Sequence, residues 1–290
     1  MTEPAPDLSY ASYFDHPVQR AVVRAVERAT GQPRIKQLYD HYREHLANDV
    51  PFFEAAIRLL ELDVQFNSAR HANIPKTGSL VVVANHPFGV LDGLMICWLI
   101  SLVRSDFKVL TNSVLEAAPE ARPWLLPIDF AETKEALAIN LATRKKSLDL
   151  LSSGGCIIVF PAGGISTAPG AFTTAIDDDW KPFTAKLITK SGAAVTPIFF
   201  EGQNSRLFQW ASQVSMSLRL SLVFREVRRR MGKTMHVHIG ETLEDEDLST
   251  AGKRAELMRF LRETTYDLAP QDWQSRFRRA ERKTKAKEAA

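Results

Sequence analysis

Only two cysteines, Cys97 and Cys156, occur in 290 residues, too few for a disulfide-stapled scaffold or a cysteine-based metal cluster. Each sits in an apolar run, Leu94 to Val103 and Cys156 to Phe160, where a small buried thiol and a reducing compartment are expected. The longer run, Leu94 to Val103, falls well short of the roughly 20 residues a membrane-spanning helix needs. The opening residues, Met1 to Tyr10, are polar, acidic and proline-containing, so no secretory signal is expected. Charge of one sign is also scarce: 37 Lys and Arg stand against 34 Asp and Glu. Internal repeats are absent. What remains, 45% hydrophobic and 24% charged, excludes disordered and collagen-like chains and predicts a single domain with a substantial core.

The charge that exists is local. Residues 273–290 hold seven basic residues, Arg276, Arg278, Arg279, Arg282, Lys283, Lys285 and Lys287, against Glu281 and Glu288, leaving the rest of the chain slightly acidic. A second basic stretch, Arg225 to Lys233, lies on an apolar-striped helix. Such segments suit a solvated helix face, an anionic membrane surface or an acidic carrier protein. Aromatic residues do not interleave with these charges, which argues against nucleic acid as a partner.

The first 61 residues read as helices. Val18, Val22 and Val26 share a stripe with Ala21, Ala25 and Ala29, while Arg20, Arg24 and Arg28 lie beside it. Further helices are predicted over about Ile35 to Ala47 and from Pro51, a favoured first-turn residue, towards Leu62. Residues 62–245 change texture. Strands are predicted over Asp63 to Asn67, Leu80 to Ala84, Phe107 to Thr111, Cys156 to Phe160, Val195 to Phe199 and Met235 to Ile239. Helical patterns near Leu91 to Val103, Lys134 to Ser152, Lys181 to Ser191 and Leu218 to Met231 alternate with them. Near-continuous apolar strands separated by helices define an α/β fold, a mostly parallel sheet flanked by helices. Residues 246–290 add a helix from about Thr250 to Leu268 and the basic tail. Reactive groups are expected at the carboxyl ends of the strands.

Two stretches fit that expectation. In Leu80 to Gly93, LVVVANHPFGVLDG, the strand ends at Ala84, a turn follows, and a helix begins near Asp92. His86 and Asp92 are then near neighbours. A carboxylate on one imidazole nitrogen fixes the tautomer and leaves the other as a base for a substrate hydroxyl. The ordinary alternatives are a helix-capping Asp92 and a His86 that bonds loop backbone. In Gly154 to Ala168, GGCIIVFPAGGISTA, a strand runs into Pro161 and then Gly163 and Gly164, where bare backbone can turn N–H groups towards an anion or oxyanion. A tight turn with no ligand is the ordinary alternative. Gly164 to Ala168 also approximates a hydrolase nucleophile elbow around Ser166, but Pro169-Gly170 opposes the helix that motif requires. His236 and His238 alternate on one strand without a third metal ligand, so a solvent-facing strand edge is expected and a metal is not.

Together the two stretches resemble the lysophospholipid and glycerolipid acyltransferase family, including a bacterial branch labelled hemolysin. The resemblance covers roughly Ser79 to Gly240. Asn85-His86 with Asp92 stands for the family's first block. Phe160-Pro161-Ala162-Gly163-Gly164-Ile165-Ser166 stands for its third, Phe-Pro-Glu-Gly-Thr-Arg-Ser, and Val195-Thr196-Pro197-Ile198-Phe199 for its fourth. Three departures stand out. Five residues rather than four separate His86 from Asp92, which Gly89 could absorb. Ala162 and Ile165 replace a Glu and an Arg. Ile128-Asp129-Phe130 lacks the second-block Arg. In phosphate-handling relatives such arginines clamp the acceptor, so Arg144, Lys181 or Arg206 would have to supply that charge.

The resemblance implies an O-acyltransferase that moves a fatty acyl group from acyl-CoA or acyl-carrier protein to a lysolipid hydroxyl, with no other cofactor. His86 and Asp92 would be catalytic. Asn85, Gly163, Gly164, Ser166, Arg144 and Arg206 would serve the oxyanion or the acceptor. The expected location is the cytoplasm, peripherally on the inner face of the cell membrane, with the tail, Trp273 and Phe277 as the anchor. A lipid esterase or thioesterase and a non-catalytic lipid-binding protein are the alternatives.

Overall fold

A computed structural model describes residues 7–111, 114–129, 133–170, 172–249 and 251–288. Of the features read from sequence, the first six residues, Phe130, Thr250 and the side chains of Lys285 and Lys287 lie outside that set. Seven strands form one sheet: β1 (Asp63–Phe66), β2 (Leu80–Ala84), β3 (Phe107–Thr111), β4 (Leu125–Pro127), β5 (Cys156–Val159), β6 (Ala194–Phe200) and β7 (Thr234–Ile239). Their spatial order is β1-β7-β6-β2-β5-β3-β4. Every pairing is parallel except β6 with β7. β2 therefore sits at the centre, flanked by β5 and β6, and all three deliver their carboxyl ends to one edge.

The alternation of side chains along β2 divides the core in two. Leu80, Val82 and Ala84 join helix Val90–Ser101 and the N-terminal helices on one face. Val81 and Val83 join Leu151, Leu187 and Leu261, from the three helices that cover the other. Each fully buried aliphatic side chain contributes roughly 2 kcal/mol through removal from water. Helix Val90–Ser101 is apolar on nearly all sides, in keeping with the burial of most of its length.

The strands fall where the sequence places them, and β4 is an addition: three residues are too few to carry a periodic pattern. The helix expected over Leu218 to Met231 is two, Met216–Ser221 and Val223–Arg230. β7 is not an edge strand, since β1 covers its free side; His236 is exposed, while His238 Nε2 meets Glu201 at 2.9 Å. The tail is a helix, Gln271–Glu288, that is not merely laid on the surface. Its Phe277 is buried against Phe199 and Tyr266, so this ring cannot serve as a membrane anchor. Arg276, Arg278, Arg279, Arg282 and Lys283 point to solvent.

Candidate active site

β2 ends at Ala84, and Asn85 follows with its amide turned to the next strand. Asn85 Nδ2 donates to the Phe200 carbonyl at 3.0 Å, and the Phe200 N–H donates to Asn85 Oδ1 at 2.7 Å. Both ends of the amide are spent on β6. Asn85 thus fixes the turn rather than facing a substrate, a correction to its expected place among the binding groups.

His86 comes next. Its N–H donates to Asp177 Oδ1 at 3.2 Å, and its carbonyl accepts from the Ser166 N–H at 2.8 Å. Its ring lies on Phe160, centroids 4.1 Å apart. The turn then reaches Asp92 through Gly89, whose φ of +77° is a conformation that side chains rarely adopt. A Cβ there would also strike Ile165 at 2.7 Å. Gly89 thus supplies a backbone conformation that a residue with a side chain would adopt only under strain, within the turn that joins His86 to Asp92.

Asp92 occupies the first turn of helix Val90–Ser101 and is completely buried. Its Oδ2 accepts from the N–H groups of Phe88 at 2.7 Å and Gly89 at 2.9 Å, and lies 3.0 Å from His86 Nδ1. That last contact has hydrogen-bond distance without straight hydrogen-bond alignment, and Oδ1 has no hydrogen-bond partner among the described residues. Burial raises the Asp92 carboxyl above the usual aspartate range; His86 and the two N–H groups pull the other way. With Nδ1 turned to Asp92, Nε2 is the nitrogen left for a ligand.

His86 opens onto a cavity of about 350 Å³. His86, Gly163 and Gly164 line it together with Ile165 from the second stretch, Tyr10, Tyr13 and Phe14 from the N-terminus, and Met216 and Arg219. Its walls are mostly apolar. A smaller apolar cavity of about 90 Å³ adjoins it, sharing Val90 and Leu115 and extending past Ala56 and Leu94 between the N-terminal helices. The Gly163 N–H closes a turn onto the Phe160 carbonyl at 3.0 Å, with φ at +74°. Gly164 has no backbone acceptor for its N–H among the described residues.

Other expected groups are elsewhere. Ser166 is buried, and its hydroxyl donates to Asp177 Oδ1. A serine held by a carboxylate, with no imidazole to take its proton, is not a nucleophile poised for attack, which removes the elbow reading. Neither Arg144 nor Lys181 lines the cavity. Arg206 lies in a separate basic cleft with Arg276, Arg279 and Lys283, its guanidinium over the Phe172 ring at 5.4 Å. Arg144 and Arg206 are therefore not acceptor-binding groups of this cavity.

The residues missed are Asp177 and Arg219. Asp177 is fully buried, accepting from Ser166, the His86 N–H and Trp180 Nε1, while its own N–H donates to Tyr266 Oη. Burial raises its carboxyl, against the pull of those donors. Arg219 donates through Nη2 to the Ile165 carbonyl at the cavity wall. Nothing local in the sequence distinguishes either from a surface charge.

A buried carboxylate thus stands behind an imidazole at the carboxyl edge of a mostly parallel sheet, and the imidazole lines a mostly apolar cavity. Residues 20–272 match the family described as "Acyltransferase", and the chain belongs to this acyltransferase family. It is 24% identical to a lyso-glycine lipid O-acyltransferase of Phocaeicola vulgatus over 226 residues, 76% of this chain and 78% of that one. It is 23% identical to a protein of the same name from Bacteroides thetaiotaomicron over 266 residues, 87% and 91% of the two chains. A crystal structure of a 1-acyl-sn-glycerophosphate (LPA) acyltransferase from Thermotoga maritima aligns with a TM-score of 0.49 and 15% identity, over 89% of this chain and 83% of that one. No helix among the described residues is long and apolar enough to cross a membrane.

Proposed function

We propose that this acyltransferase moves a fatty acyl group from acyl-CoA or acyl-carrier protein to a hydroxyl of a lysolipid of the lyso-glycine lipid type. The reading rests on His86 in the wall of a mostly apolar cavity, with the buried Asp92 carboxylate behind its ring. His86 Nε2 takes the proton of the acceptor hydroxyl as its oxygen attacks the thioester carbonyl carbon. Asp92 steadies the resulting imidazolium, and the Gly164 N–H receives the developing oxyanion. The carbon–sulfur bond then breaks, the thiolate takes the proton back from His86, and an ester and a free thiol leave. A thioester is already activated, so a base and correct placement supply the chemistry.

The adjoining apolar cavity suits the end of an acyl chain. Contact with a lipid surface is supported by the exposed ridge of Leu207, Trp210 and Val214, one face of a single helix. Met216 extends the ridge and also lines the cavity. The basic tail helix adds charge, worth about 1 kcal/mol per residue near an anionic surface.

The test is product mass spectrometry with labelled acyl thioester and hydroxylated N-acylglycine, comparing wild type with His86→Ala. The expected result is an acylated lipid from wild type and about a hundred- to ten-thousand-fold less from the variant. Free fatty acid produced equally by both proteins, with no ester, overturns the reading in favour of hydrolysis.

A further inference from the structure

The main cavity is mostly apolar, and beside His86 one cationic side chain lines it. Arg219 projects into it from helix Met216–Ser221. Its Nη2 donates to the Ile165 carbonyl and stands 3.8 Å from where a Cβ on Gly164 would be. The guanidinium is thus seated on the glycine turn beside the base. The connection is tighter still through the backbone, because Ile165 accepts from Arg219 while the adjacent Ser166 N–H donates to the His86 carbonyl. Two consecutive residues set the spacing between cation and base.

Among the described residues no carboxylate forms an ion pair with Arg219. Exposed Asp178 is the acid that acts on it electrostatically, and desolvation still wins, lowering the guanidinium's pKa. A guanidinium carries five N–H donors, and among the described residues a single carbonyl takes one of them. A desolvated cation with spare donors in an apolar cavity is costly unless an anion completes it. The position filled by an Arg in the resembling third block is Ile165, whose carbonyl anchors Arg219 instead.

We propose that Arg219 binds the oxyanion of the acceptor's headgroup and thereby sets the acceptor hydroxyl at His86. This rests on the acyltransfer reading and names the feature of the acceptor that the site selects. A carboxylate or a phosphate meets the requirement, since each presents paired oxygens to a planar fork of N–H donors.

The experiment uses the full chain and three acceptors: a hydroxylated N-acylglycine, its neutral methyl ester, and a lysophosphatidate. Wild type is expected to lose about ten- to hundred-fold in kcat/KM on esterification of the carboxylate, the range of one charge-assisted hydrogen-bonded contact. R219M is expected to use acid and ester equally, with the donor KM unchanged. R219K, which keeps charge but not the fork, is expected between them. The preferred acid distinguishes carboxylate from phosphate as the oxyanion. Equal use of acid and ester by wild type overturns the inference while leaving acyltransfer intact, and so does a loss in R219M that falls on the donor KM. Should wild type acylate none of the three, the acyltransfer reading fails instead. Calorimetric binding of the acid to wild type and R219M still decides the role of Arg219, and equal affinities overturn it.

Discussion

The backbone N–H of His86 donates to the carboxylate of Asp177 at 3.2 Å, across 91 positions of sequence. The same carboxylate holds Ser166 and Trp180, so one buried acid ties the base-bearing turn to the glycine turn. Asp177→Asn keeps the size but cannot accept from three donors without turning its own N–H groups towards one of them. We expect kcat to fall about tenfold or more with little change in acceptor KM, the pattern of a misplaced base rather than lost binding. Ser166→Ala should lose less, because the His86 and Trp180 bonds remain. Steady-state kinetics with Tm controls check this, and a change confined to KM counts against it.

Acid should lower activity and raise the contribution of Asp92 to stability over the same pH range. Burial raises the Asp92 carboxyl, so the folded chain protonates it at a pH where the unfolded chain does not. The stability gained is full below the unfolded aspartate range and is lost as pH rises through the folded value. On acidification, kcat therefore declines while wild type gains stability relative to Asp92→Asn. Paired pH profiles of kcat and Tm test the sign; a wild-type advantage that shrinks on acidification contradicts it.

The apolar annex predicts a chain-length effect. Ala56 faces it from helix Phe52–Leu59, and Ala56→Leu reduces its volume. Turnover of the longest acyl donors should fall several-fold relative to short ones, as about 1–3 kcal/mol accompanies a methylene-scale change in such a pocket. Competition between donors, read by mass spectrometry, gives the ratio directly. An unchanged ratio places the acyl chain elsewhere.

Arg104 carries structure alone. Its guanidinium is buried, bonding Asp106 through two nitrogens and the carbonyls of Pro75, Gly78 and Gly154. Arg104→Met leaves those acceptors stranded and should cost about 3 kcal/mol. The Arg104 side-chain bonds lower the Asp106 carboxyl. The pair's stabilisation is therefore present above the usual aspartate range and fades as pH falls through the folded value. Urea denaturation at two pH values measures both effects.

Deleting the tail is a poor test of membrane docking, because it would uncover Phe199 and Tyr266. Reversing exposed charges is cleaner. Arg276, Arg279 and Lys283 changed together to Glu should weaken sedimentation with anionic vesicles by tenfold or more, since each charge is worth about 1 kcal/mol near such a surface. Neutral vesicles should show no such change. Equal binding to anionic vesicles excludes the tail as the contact.

What the sequence made legible follows contact range. β2, β5 and β6 announce themselves as short apolar runs, and His86 with Asp92 is readable because a single turn joins them. Asp177 and Arg219 find their partners 91 and 54 positions away. No local pattern marks such pairs, and both sit in segments that read as ordinary surface charge. Arg144 and Arg206 misled for the converse reason: a cation near a motif in sequence need not share its cavity. Asn85 and Ser166 were in the right place with the wrong orientation, which only hydrogen-bond partners reveal.

The two hydrogen bonds between the Asn85 amide and the Phe200 backbone continue the joining of β2 and β6 beyond Ala84. His86, the proposed base, is thereby mounted on the scaffold, while the cavity walls come from peripheral pieces such as Tyr13 and Met216. The two parts can change independently. New acceptors or chain lengths can be accommodated by redrawing the walls, with the proton-transfer machinery inherited intact.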